Sequence, residues 1–469
     1  MKNKLLPLLL TFSFLFTLAF PVKAQSENYP YYVIESGDTL QSIADQFGIS
    51  LTDLINYNNI ANPDFVSVGT SLIIPGLEGI QGQVASTAVE LGENLETLTI
   101  KYQIAQSLLV KLNHITSPAE INVGTTLILP VIDDANSKIP VNQMGSGQTL
   151  LESAAETNSS AWKLMLENNV SSQSALLPGD MLYQNASDGS PEVSSIDAGL
   201  TAVTISPLPL VQGKTFEVFV KSPQNVTLSG SLNGYDLHFF PIDDQTQVAL
   251  QGVYAMADPG LAPFTLSGTY ADGKTFTYAQ SILLLSGDYP TDDPITVDPS
   301  LIDPAVTQPE EDQVKQITAP ATQTRYWDGM FQIPAVYNEY NATFGDRRSY
   351  NDGAYKSFHS GVDFAGGMGL PIYAPAAGKV VFTGQLTVRG NATIIDHGWG
   401  IYSAYFHQSE IDVNVGDMVS PGDVIGKVGN TGRVDNSDAF EGAGSHLHWE
   451  IWVNGVQVDP LEWLDKQYP

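Results

Sequence analysis

Ser445-His-Leu-His-Trp-Glu-Ile-Trp-Val453 largely alternates polar and apolar side chains and is rich in aromatic and branched residues. This pattern is typical of a β-strand. Because successive side chains of a strand point to opposite faces, His446 and His448 share one face, and Leu447 and Trp449 share the other. One imidazole can therefore bind a metal ion while its neighbour acts on a substrate.

Two other segments concentrate histidine in the same part of the chain, Phe358-His-Ser-Gly-Val-Asp363 and Tyr405-Phe-His407. Together with His446 and His448 they hold four of the seven histidines of the protein, which predicts a single site. In the first segment, glycine and β-branched valine are poor helix formers and favour a turn or a strand end, although the spacing of histidine and aspartate also fits one helical turn.

The side chains of these segments limit the chemistry of the site. The chain has no cysteine, so a transition metal would have to be held by imidazole and carboxylate groups. Two histidines and one carboxylate, with a fourth position left to water, are the usual ligands of a hydrolytic zinc site. Zinc in such a site lowers the pKa of water to about 7 and polarises a carbonyl oxygen, which suits hydrolysis of an amide at neutral pH.

The C-terminal third, from about residue 326 to residue 469, resembles the catalytic domain of the lysostaphin-type (LytM-like) zinc metalloendopeptidases. It carries that family's H-x-x-x-D motif at His359 and Asp363, its Y-x-H motif ending at His407, and its H-L-H motif at 446–448. The resemblance implies a mostly antiparallel β fold and hydrolysis of amide bonds in the peptide stems or cross-bridges of bacterial peptidoglycan.

The resemblance also implies a role for each matching residue. His359, Asp363 and His448 would be zinc ligands, and His407 and His446 would be catalytic as acid/base or oxyanion-stabilising groups. All five positions are filled, which favours an active hydrolase. The alternative is a catalytically silent envelope protein of the same fold that activates an amidase or organises cell division. A glycan-binding adhesin or sensor would leave the histidines without a purpose.

An internal repeat occupies the N-terminal part of the chain. The same 55-residue spacing relates Leu40, Leu95 and Leu150, and it also relates Asn58, Asn113 and Asn168. The first copy, 30–76, resembles the lysin motif (LysM), a βααβ module that binds glycans containing N-acetylglucosamine. The second copy, 84–131, and the third, 139–185, diverge from it. They are therefore interpreted either as further glycan-binding modules or as spacers that keep only the fold.

Glycan binding by a module of this kind is expected in two loops, after Gly37 and around Asn58. Backbone amides and polar side chains should remain exposed there, whereas the apolar helix positions form the small core. Weak sites in tandem gain apparent affinity for a polymer through effective concentration.

The N-terminus predicts a secretory signal peptide at 1–24, with Lys2 and Lys4 ahead of an apolar run that ends in Val22-Lys-Ala24. A retained membrane anchor is the alternative. No later stretch reaches about 18 apolar residues, so we expect a secreted protein, extracellular or associated with the cell envelope, with no membrane span after signal removal. The absence of cysteine excludes disulfide bonds and lipidation of a new N-terminus.

Charge restricts the partners of the protein. The formal net charge is −31 at pH 7, which makes nucleic acid and anionic lipid poor ligands. Affinity for a cell wall must therefore come from pockets and not from overall charge. We expect a monomer.

Three further segments complete the predicted domain organisation. Short alternating runs separated by turn residues predict an antiparallel β-sandwich at 196–287, either a spacer or a domain docked on the enzyme. Proline and acid predominate at 288–321 and predict a semi-extended linker, and 322–469 would be the metalloendopeptidase domain. By position alone, Asn341 or Asp346 could block the zinc site, and His397 is expected to be structural.

Overall fold

Three βααβ modules form the first part of the protein that the structure describes. The structure is a computed structural model and describes residues 29–63, 66–77, 80–133, 136–189, 192–197, 199–434 and 444–469. The predicted signal peptide at 1–24 lies outside these residues. The chain divides into two compact units, Met1–Ala85 and Ser86–Pro469, which are described separately.

The first unit contains one module, in which two short helices connect a pair of antiparallel strands. Its elements are β1 (Tyr31–Val33), α1 (Leu40–Gln46), α2 (Leu51–Tyr57) and β2 (Ser71–Ile73). The hydroxyl group of Thr39 accepts a hydrogen bond from the backbone N–H of Ser42 at 3.0 Å, and the Ser42 hydroxyl accepts one from Thr39 N–H at 2.9 Å. This reciprocal capping fixes the start of α1.

The second unit begins with two more copies of the module, as the repeat predicts. The second copy comprises β3 (Val84–Ala88), α3 (Leu95–Lys101), α4 (Gln106–Leu112) and β4 (Thr126–Pro130). The third comprises β5 (Lys138–Gln143), α5 (Leu150–Glu156), α6 (Ala161–Glu167) and β6 (Met181–Asn185). Short 3₁₀ turns occur at Pro118–Glu120, Gln173–Ala175, Ala186–Asp188 and Pro299–Leu301.

The repeated asparagine ties the second helix of each module to its closing strand. The side chain of Asn58 donates to the carbonyl groups of Leu54 and Ile73 and accepts from the N–H of Ile73 at 2.6 Å. Asn113 and Asn168 make the same three bonds in their own modules. Within the loop around Asn58, where glycan binding is expected, the Asn58 side chain is therefore engaged by the fold, whereas the side chains of Asn56 and Asn59 are exposed.

In the second module, the loop that corresponds to the one after Gly37 is covered by the β-sandwich. The N–H of Gly92 donates to the hydroxyl group of Tyr278 at 2.9 Å and to the side-chain oxygen of Gln280 at 3.0 Å. The N–H of Leu283 donates to the Val123 carbonyl at 2.7 Å. The backbone amide of Gly92 in the second module is thus already bound by side chains of the β-sandwich.

The predicted β-sandwich consists of two sheets. Its strands are β7 (Ala202–Ser206), β8 (Leu210–Val211), β9 (Thr215–Lys221), β10 (Val226–Leu232), β11 (Tyr235–Asp236), β12 (Phe240–Pro241), β13 (Thr246–Gly252), β14 (Gly260–Tyr270) and β15 (Thr275–Leu285). One sheet has the order β11-β10-β14-β15-β8 and the other β12-β13-β9-β7. Along β9, Phe216, Val218 and Val220 alternate into the core between the sheets.

Helix α7 (Pro304–Thr318) occupies part of the segment that the sequence predicts as a semi-extended linker, 288–321, so that prediction is wrong for the helical residues. Asp303 caps the helix by accepting a backbone N–H of the first turn at 2.9 Å, and a proline takes the first helical position, where no N–H is needed. Buried Glu310 and Val314 are four residues apart. The high content of proline and acid conceals this helical period.

The linker segment packs against the C-terminal domain instead of extending away from it. Val314 is fully buried in an apolar cluster with Leu386, Tyr402 and Trp452. Ahead of the helix, a backbone bridge joins Thr291 to Arg347. The segment therefore covers part of the surface of the C-terminal domain.

The C-terminal domain is built mostly of antiparallel strands, as predicted. Its elements are β16 (Tyr340–Ala342), β17 (Arg347–Arg348), β18 (Ser357–Phe358), β19 (Val362–Ala365), β20 (Pro371–Tyr373), β21 (Gly378–Leu386), β22 (Gly390–Gly398), β23 (Ile401–Gln408), β24 (Glu410–Ile411), β25 (Met418–Val419), β26 (Val424–Lys427), β27 (His446–Val453), β28 (Val456–Val458) and α8 (Leu461–Asp465). The main sheet has the order β16-β19-β27-β23-β22-β21-β25, with β28 added beside β27. Strand β27 is therefore central, between β19 and β23.

The sandwich is docked on the C-terminal domain, which decides between the two roles predicted for it. Phe240 stacks on Trp399 with ring centroids 5.1 Å apart, and Lys214 forms an ion pair with Asp459 at 2.7 Å. One apolar cluster continues from the sheet of β12, β13 and β9 into the C-terminal core. Among the described residues, no helix has both the length and the apolar character needed to cross a membrane.

Glu462 at this interface makes stability depend on pH. It accepts a hydrogen bond from the N–H of Thr215 at 2.8 Å, and burial raises its pKa from 4.5 to about 7. Between these values the folded protein holds a proton that the unfolded chain has lost, so the free energy of unfolding falls as pH rises through about 7. We expect Glu462→Gln to raise that free energy by roughly 1–3 kcal/mol at pH 8 and to change it little at pH 4.5.

Urea unfolding at both pH values measures this effect. Asp465→Asn is the matched control, since it removes the same charge from an exposed position on the same helix. A constant difference between Glu462→Gln and the wild type across pH would contradict the assignment.

Candidate active site

Three adjacent strands bring the predicted site residues together. The register of β19 and β27 places Asp363 opposite His448 and Ala365 opposite His446, and the register of β23 and β27 places Phe406 opposite His448. His359 lies just before β19, and His407 lies near the end of β23. The segments are far apart in the sequence, and the order of the strands makes them neighbours.

His359, Asp363 and His448 converge on one point. The Oδ1 atom of Asp363 lies 2.7 Å from Nδ1 of His448 and 3.0 Å from Nε2 of His359, and the two nitrogen atoms lie 3.0 Å apart. All three residues are buried. Among the described residues they form the group of side chains that could hold a metal ion.

The outer nitrogen of each histidine fixes which atom can bind a metal ion. Nδ1 of His359 lies 2.8 Å from the carbonyl oxygen of Thr343, which can only accept, so this nitrogen carries a hydrogen atom. Nε2 of His448 lies 3.2 Å from a carboxylate oxygen of Glu450 and donates to it in the same way. The nitrogen atoms without hydrogen, Nε2 of His359 and Nδ1 of His448, therefore face a common point together with Oδ1 of Asp363. Two imidazoles and one carboxylate are a ligand set that fits zinc.

Charges near the cluster influence how it binds protons. Burial lowers the pKa of His359, and His359 and His448 hold the pKa of Asp363 well below its usual range despite burial. Burial alone would lower the pKa of His448, but Asp363 and Glu450 outweigh it and raise the pKa to about 9. The proton on His448 is one that a metal ion would displace on binding.

His407 and His446 lie side by side next to this cluster. Their ring centroids are 5.0 Å apart, and Nε2 of His446 lies 3.6 Å from Oδ1 of Asp363. The Nδ1–H groups of His407 and His446 donate to the carbonyl oxygens of Thr431 at 2.7 Å and Gly444 at 2.8 Å. In both rings Nε2 is therefore the atom left to exchange a proton.

The backbone and surroundings of His407 set its orientation and charge. Its φ of 60° lies in the left-handed region, which is uncommon for a residue other than glycine and is found at strained functional positions. Burial and the neighbouring imidazoles of His446 and His448 lower its pKa to about 3, so the ring is neutral at neutral pH.

Two family models match parts of this chain. Residues 357–460 match the model of peptidase family M23, and residues 32–75 and 88–130 match the model of the LysM domain. The chain has an M23 peptidase domain and LysM domains. The resemblance seen in the sequence is thus confirmed.

The M23 domain is similar in sequence to peptidases of two bacteria. Over 134 residues the chain is 37% identical to DD-carboxypeptidase/endopeptidase Mpg of Neisseria meningitidis serogroup B, covering 28% of this chain and 29% of that protein. Over 104 residues it is 40% identical to peptidoglycan DD-endopeptidase ShyA of Vibrio cholerae serotype O1, covering 22% of each. The chain therefore spans less than a third of the length of these relatives.

A solved structure similar to the M23 domain is the catalytic domain of the antimicrobial peptidase lysostaphin from Staphylococcus simulans. It shares 26% sequence identity, with a TM-score of 0.21, and the match covers 30% of this chain and 93% of that one.

All five predicted site residues of the M23 domain line one cavity of about 640 Å³. Helix α7 contributes Thr307, Glu311 and Lys315 to its wall, and the sandwich contributes Tyr235 and Tyr254. The site is therefore enclosed by parts of the chain outside the M23 domain.

Glu450 belongs to the candidate site, although it is not among the five predicted site residues. It is buried behind His448 and accepts four hydrogen bonds, from His448, Ser360, Trp452 and Gln457. The signal for it is present in the sequence, since His446, His448 and Glu450 alternate along one strand and so share a face.

Gly361 is required by the close approach of two strands. A Cβ atom there would lie 2.3 Å from the carbonyl oxygen of Trp449 and 2.9 Å from Nε2 of His448. The glycine between His359 and Asp363 therefore lets β27 bring His448 to the cluster.

Two other expectations about the M23 domain have clear outcomes. His397 is buried, with hydrogen bonds at 2.8 Å to the Ala377 carbonyl and 2.7 Å to the Ser403 hydroxyl, which agrees with a structural role. Asp346, which could block the site by its position in the sequence, does not line the cavity, and its carboxylate accepts from the N–H and hydroxyl of Thr343 at 3.3 and 3.1 Å. Asn341 lies on edge strand β16 and is exposed.

Proposed function

We propose that the protein is an exported zinc metalloendopeptidase that hydrolyses amide bonds in the peptide stems or cross-bridges of bacterial peptidoglycan. The observation that carries the proposal is the convergence of His359, Asp363 and His448 in a cavity that also contains His407 and His446. One relative of the M23 domain is named as a DD-carboxypeptidase/endopeptidase and another as a peptidoglycan DD-endopeptidase, which supports the same substrate class.

In this proposal His359 Nε2, Asp363 Oδ1 and His448 Nδ1 hold the zinc ion. A bound zinc ion supplies a Lewis acid that polarises a carbonyl group and acidifies water. Thr343 and Glu450 hold the two imidazole rings in the tautomers that binding requires, through the hydrogen bonds at 2.8 and 3.2 Å.

His446 and His407 move the protons of the reaction. Both rings present Nε2 to the cavity because their Nδ1–H groups are bound to backbone carbonyls. A neutral Nε2 atom can take a proton from the attacking water, and the resulting imidazolium can stabilise an oxyanion and protonate the leaving amine. Transfer of this kind typically contributes 10²- to 10⁴-fold to the rate.

Targeting to the cell wall is the second part of the proposal. Among the described residues of its own unit, the loop at Gly37 in the first LysM domain has open space, and so does the equivalent Gly147 of the third module, whereas the amide of Gly92 is engaged by the sandwich. The first module combines this open loop with a match to the LysM model, so we propose that it binds glycan, and we propose export by the signal peptide at 1–24 and action in the cell envelope as a monomer.

Digestion of purified peptidoglycan tests the function. We expect the full-length protein to bind about one zinc ion per chain and to release uncross-linked muropeptides, identified by mass spectrometry, which also shows which bond is cut. A chelator should abolish release, and added zinc should restore it. A zinc-loaded protein that releases nothing but stimulates an amidase would support the silent envelope protein instead.

A further inference from the structure

The active-site cavity is basic although the protein is strongly acidic. The chain has 51 acidic and 20 basic residues, yet five basic and three acidic side chains line the cavity. Arginine is rare in the sequence, with five in all, and three of these line this one cavity, namely Arg348, Arg389 and Arg433. This concentration of basic side chains in the cavity favours binding of a negatively charged group.

Two of these arginines are already paired with acids of the protein. Arg389 lies 3.1 Å from the buried carboxylate of Glu310, which also accepts the backbone N–H groups of residues 388 and 389. Arg348 lies 3.3 Å from Asp292 and 3.8 Å from Asp363. Neither needs a further anion.

Arg433 differs, because its described contacts are all with neutral groups. Its guanidinium donates to the carbonyl of Leu301 and to the hydroxyl of Tyr350, both at 3.3 Å, and lies over the Tyr350 ring at 4.7 Å. It forms no ion pair with any acid in the described part of the chain. A guanidinium has five N–H donors, so most of its donors have no acceptor among the described residues.

Burial also makes an unpaired cation at this position unfavourable. It lowers the pKa of Arg433, and the nearby charges of Arg389 and Arg348 act in the same direction, against a smaller opposing influence of Tyr350 and Glu310. A carboxylate bound at the guanidinium would offset both effects. The contact with Tyr350 holds the planar group in place, which favours the bidentate geometry that arginine forms with carboxylates.

We propose that Arg433 is a specificity-determining anion subsite that binds a free carboxylate of the peptide substrate. The inference rests on the proposed function and narrows its substrate class to peptides that carry a carboxylate near the scissile amide. Such a group can come from the diamino acid of a cross-link or from the C-terminus of a stem peptide. Amidated peptides would be poor ligands.

Binding and hydrolysis of a defined substrate test the subsite. The probes are a cross-linked muropeptide dimer with free carboxylates, the fully amidated dimer, and two dimers amidated only at the diamino acid or only at the C-terminus. Calorimetry with metal-free full-length protein gives Kd without hydrolysis, and the zinc-loaded protein gives kcat/KM. We expect the wild type to prefer the free dimer over the amidated one by about tenfold or more in both.

Arg433→Gln should reduce this preference to about one, and Arg433→Lys should give an intermediate value because it keeps the charge but not the planar fork. Arg325→Gln is the matched control, since Arg325 is exposed and does not line the cavity, and it should keep the wild-type preference. Thermal unfolding of each variant separates loss of the subsite from loss of the fold.

The outcomes distinguish the two proposals. Equal affinity of the wild type for free and amidated dimers, or a full preference in Arg433→Gln, would overturn the subsite. Loss of preference with one singly amidated dimer supports it and identifies which carboxylate is bound. A clear preference in Kd without any hydrolysis would leave the subsite standing and overturn the peptidase function.

Discussion

Replacing His446 with alanine is expected to leave zinc bound and to remove turnover, whereas replacing His448 with alanine is expected to remove both. His448 Nδ1 lies 2.7 Å from Asp363 and 3.0 Å from His359, at the centre of the ligand cluster. His446 Nε2 lies 3.6 Å from Asp363, at the edge of that cluster, with its ring against His407. The two histidines are two residues apart on β27 and are still expected to differ in role.

We expect His446→Ala to lower kcat by 10²- to 10⁴-fold, the range typical of a lost proton-transfer group. His448→Ala and Asp363→Ala should lose stoichiometric zinc as well, because each removes one of three ligands. Metal analysis after dialysis, together with muropeptide release, separates these effects. His238→Ala is the matched control, since that histidine is exposed on the sandwich and lies outside the cavity.

Two results would contradict these roles. Wild-type cleavage by His446→Ala would exclude it from the chemistry. Loss of zinc by His446→Ala as complete as that of His448→Ala would instead make it a ligand.

The convergence of the three candidate ligands can be predicted from the sequence because short motifs contain them. His359 and Asp363 are separated by three residues, and the alternation of His446 and His448 follows from the strand period alone. What the sequence could not provide was the pairing of β19 with β27, which depends on contacts between residues about 85 positions apart. The resemblance to a known family provided it.

The prediction for 288–321 was less accurate, because the average composition of the whole segment hides a short helix. Pro309 and the acids around α7 indicated an extended linker, yet Glu310 and Val314 follow a helical period that only a local reading detects. The repeat of asparagine at 58, 113 and 168 has a structural cause that the sequence alone does not show. The Asn58 side chain bonds to backbone groups of Leu54 and Ile73, so this residue is repeated for the same reason as a core leucine.

Replacing Glu450 with glutamine is expected to weaken zinc binding by about 10- to 100-fold, although Glu450 is not one of the three candidate ligands. Its Oε1 atom accepts from Ser360 at 2.6 Å and His448 at 3.2 Å, and its Oε2 atom accepts from Trp452 at 2.7 Å and Gln457 at 3.0 Å. All four partners donate. A glutamine therefore sets its NH₂ group against two donors in either orientation of the amide.

The Glu450→Gln substitution would weaken zinc binding through its effect on His448. Glu450 helps raise the pKa of His448 to about 9 and holds the hydrogen atom on Nε2, which leaves Nδ1 to face Asp363. Without the carboxylate the ring loses this orientation and becomes a weaker base, so zinc is held less tightly. Competition with a chromophoric chelator measures the change in affinity.

Glu311→Gln is the control for this prediction, because Glu311 lines the same cavity and carries the same charge but pairs with Lys315 at 2.6 Å. If both variants lost zinc affinity equally, the effect would come from the net charge of the cavity. If only Glu450→Gln lost it, the hydrogen bond to His448 would be the cause, and the carboxylate would be part of the metal centre.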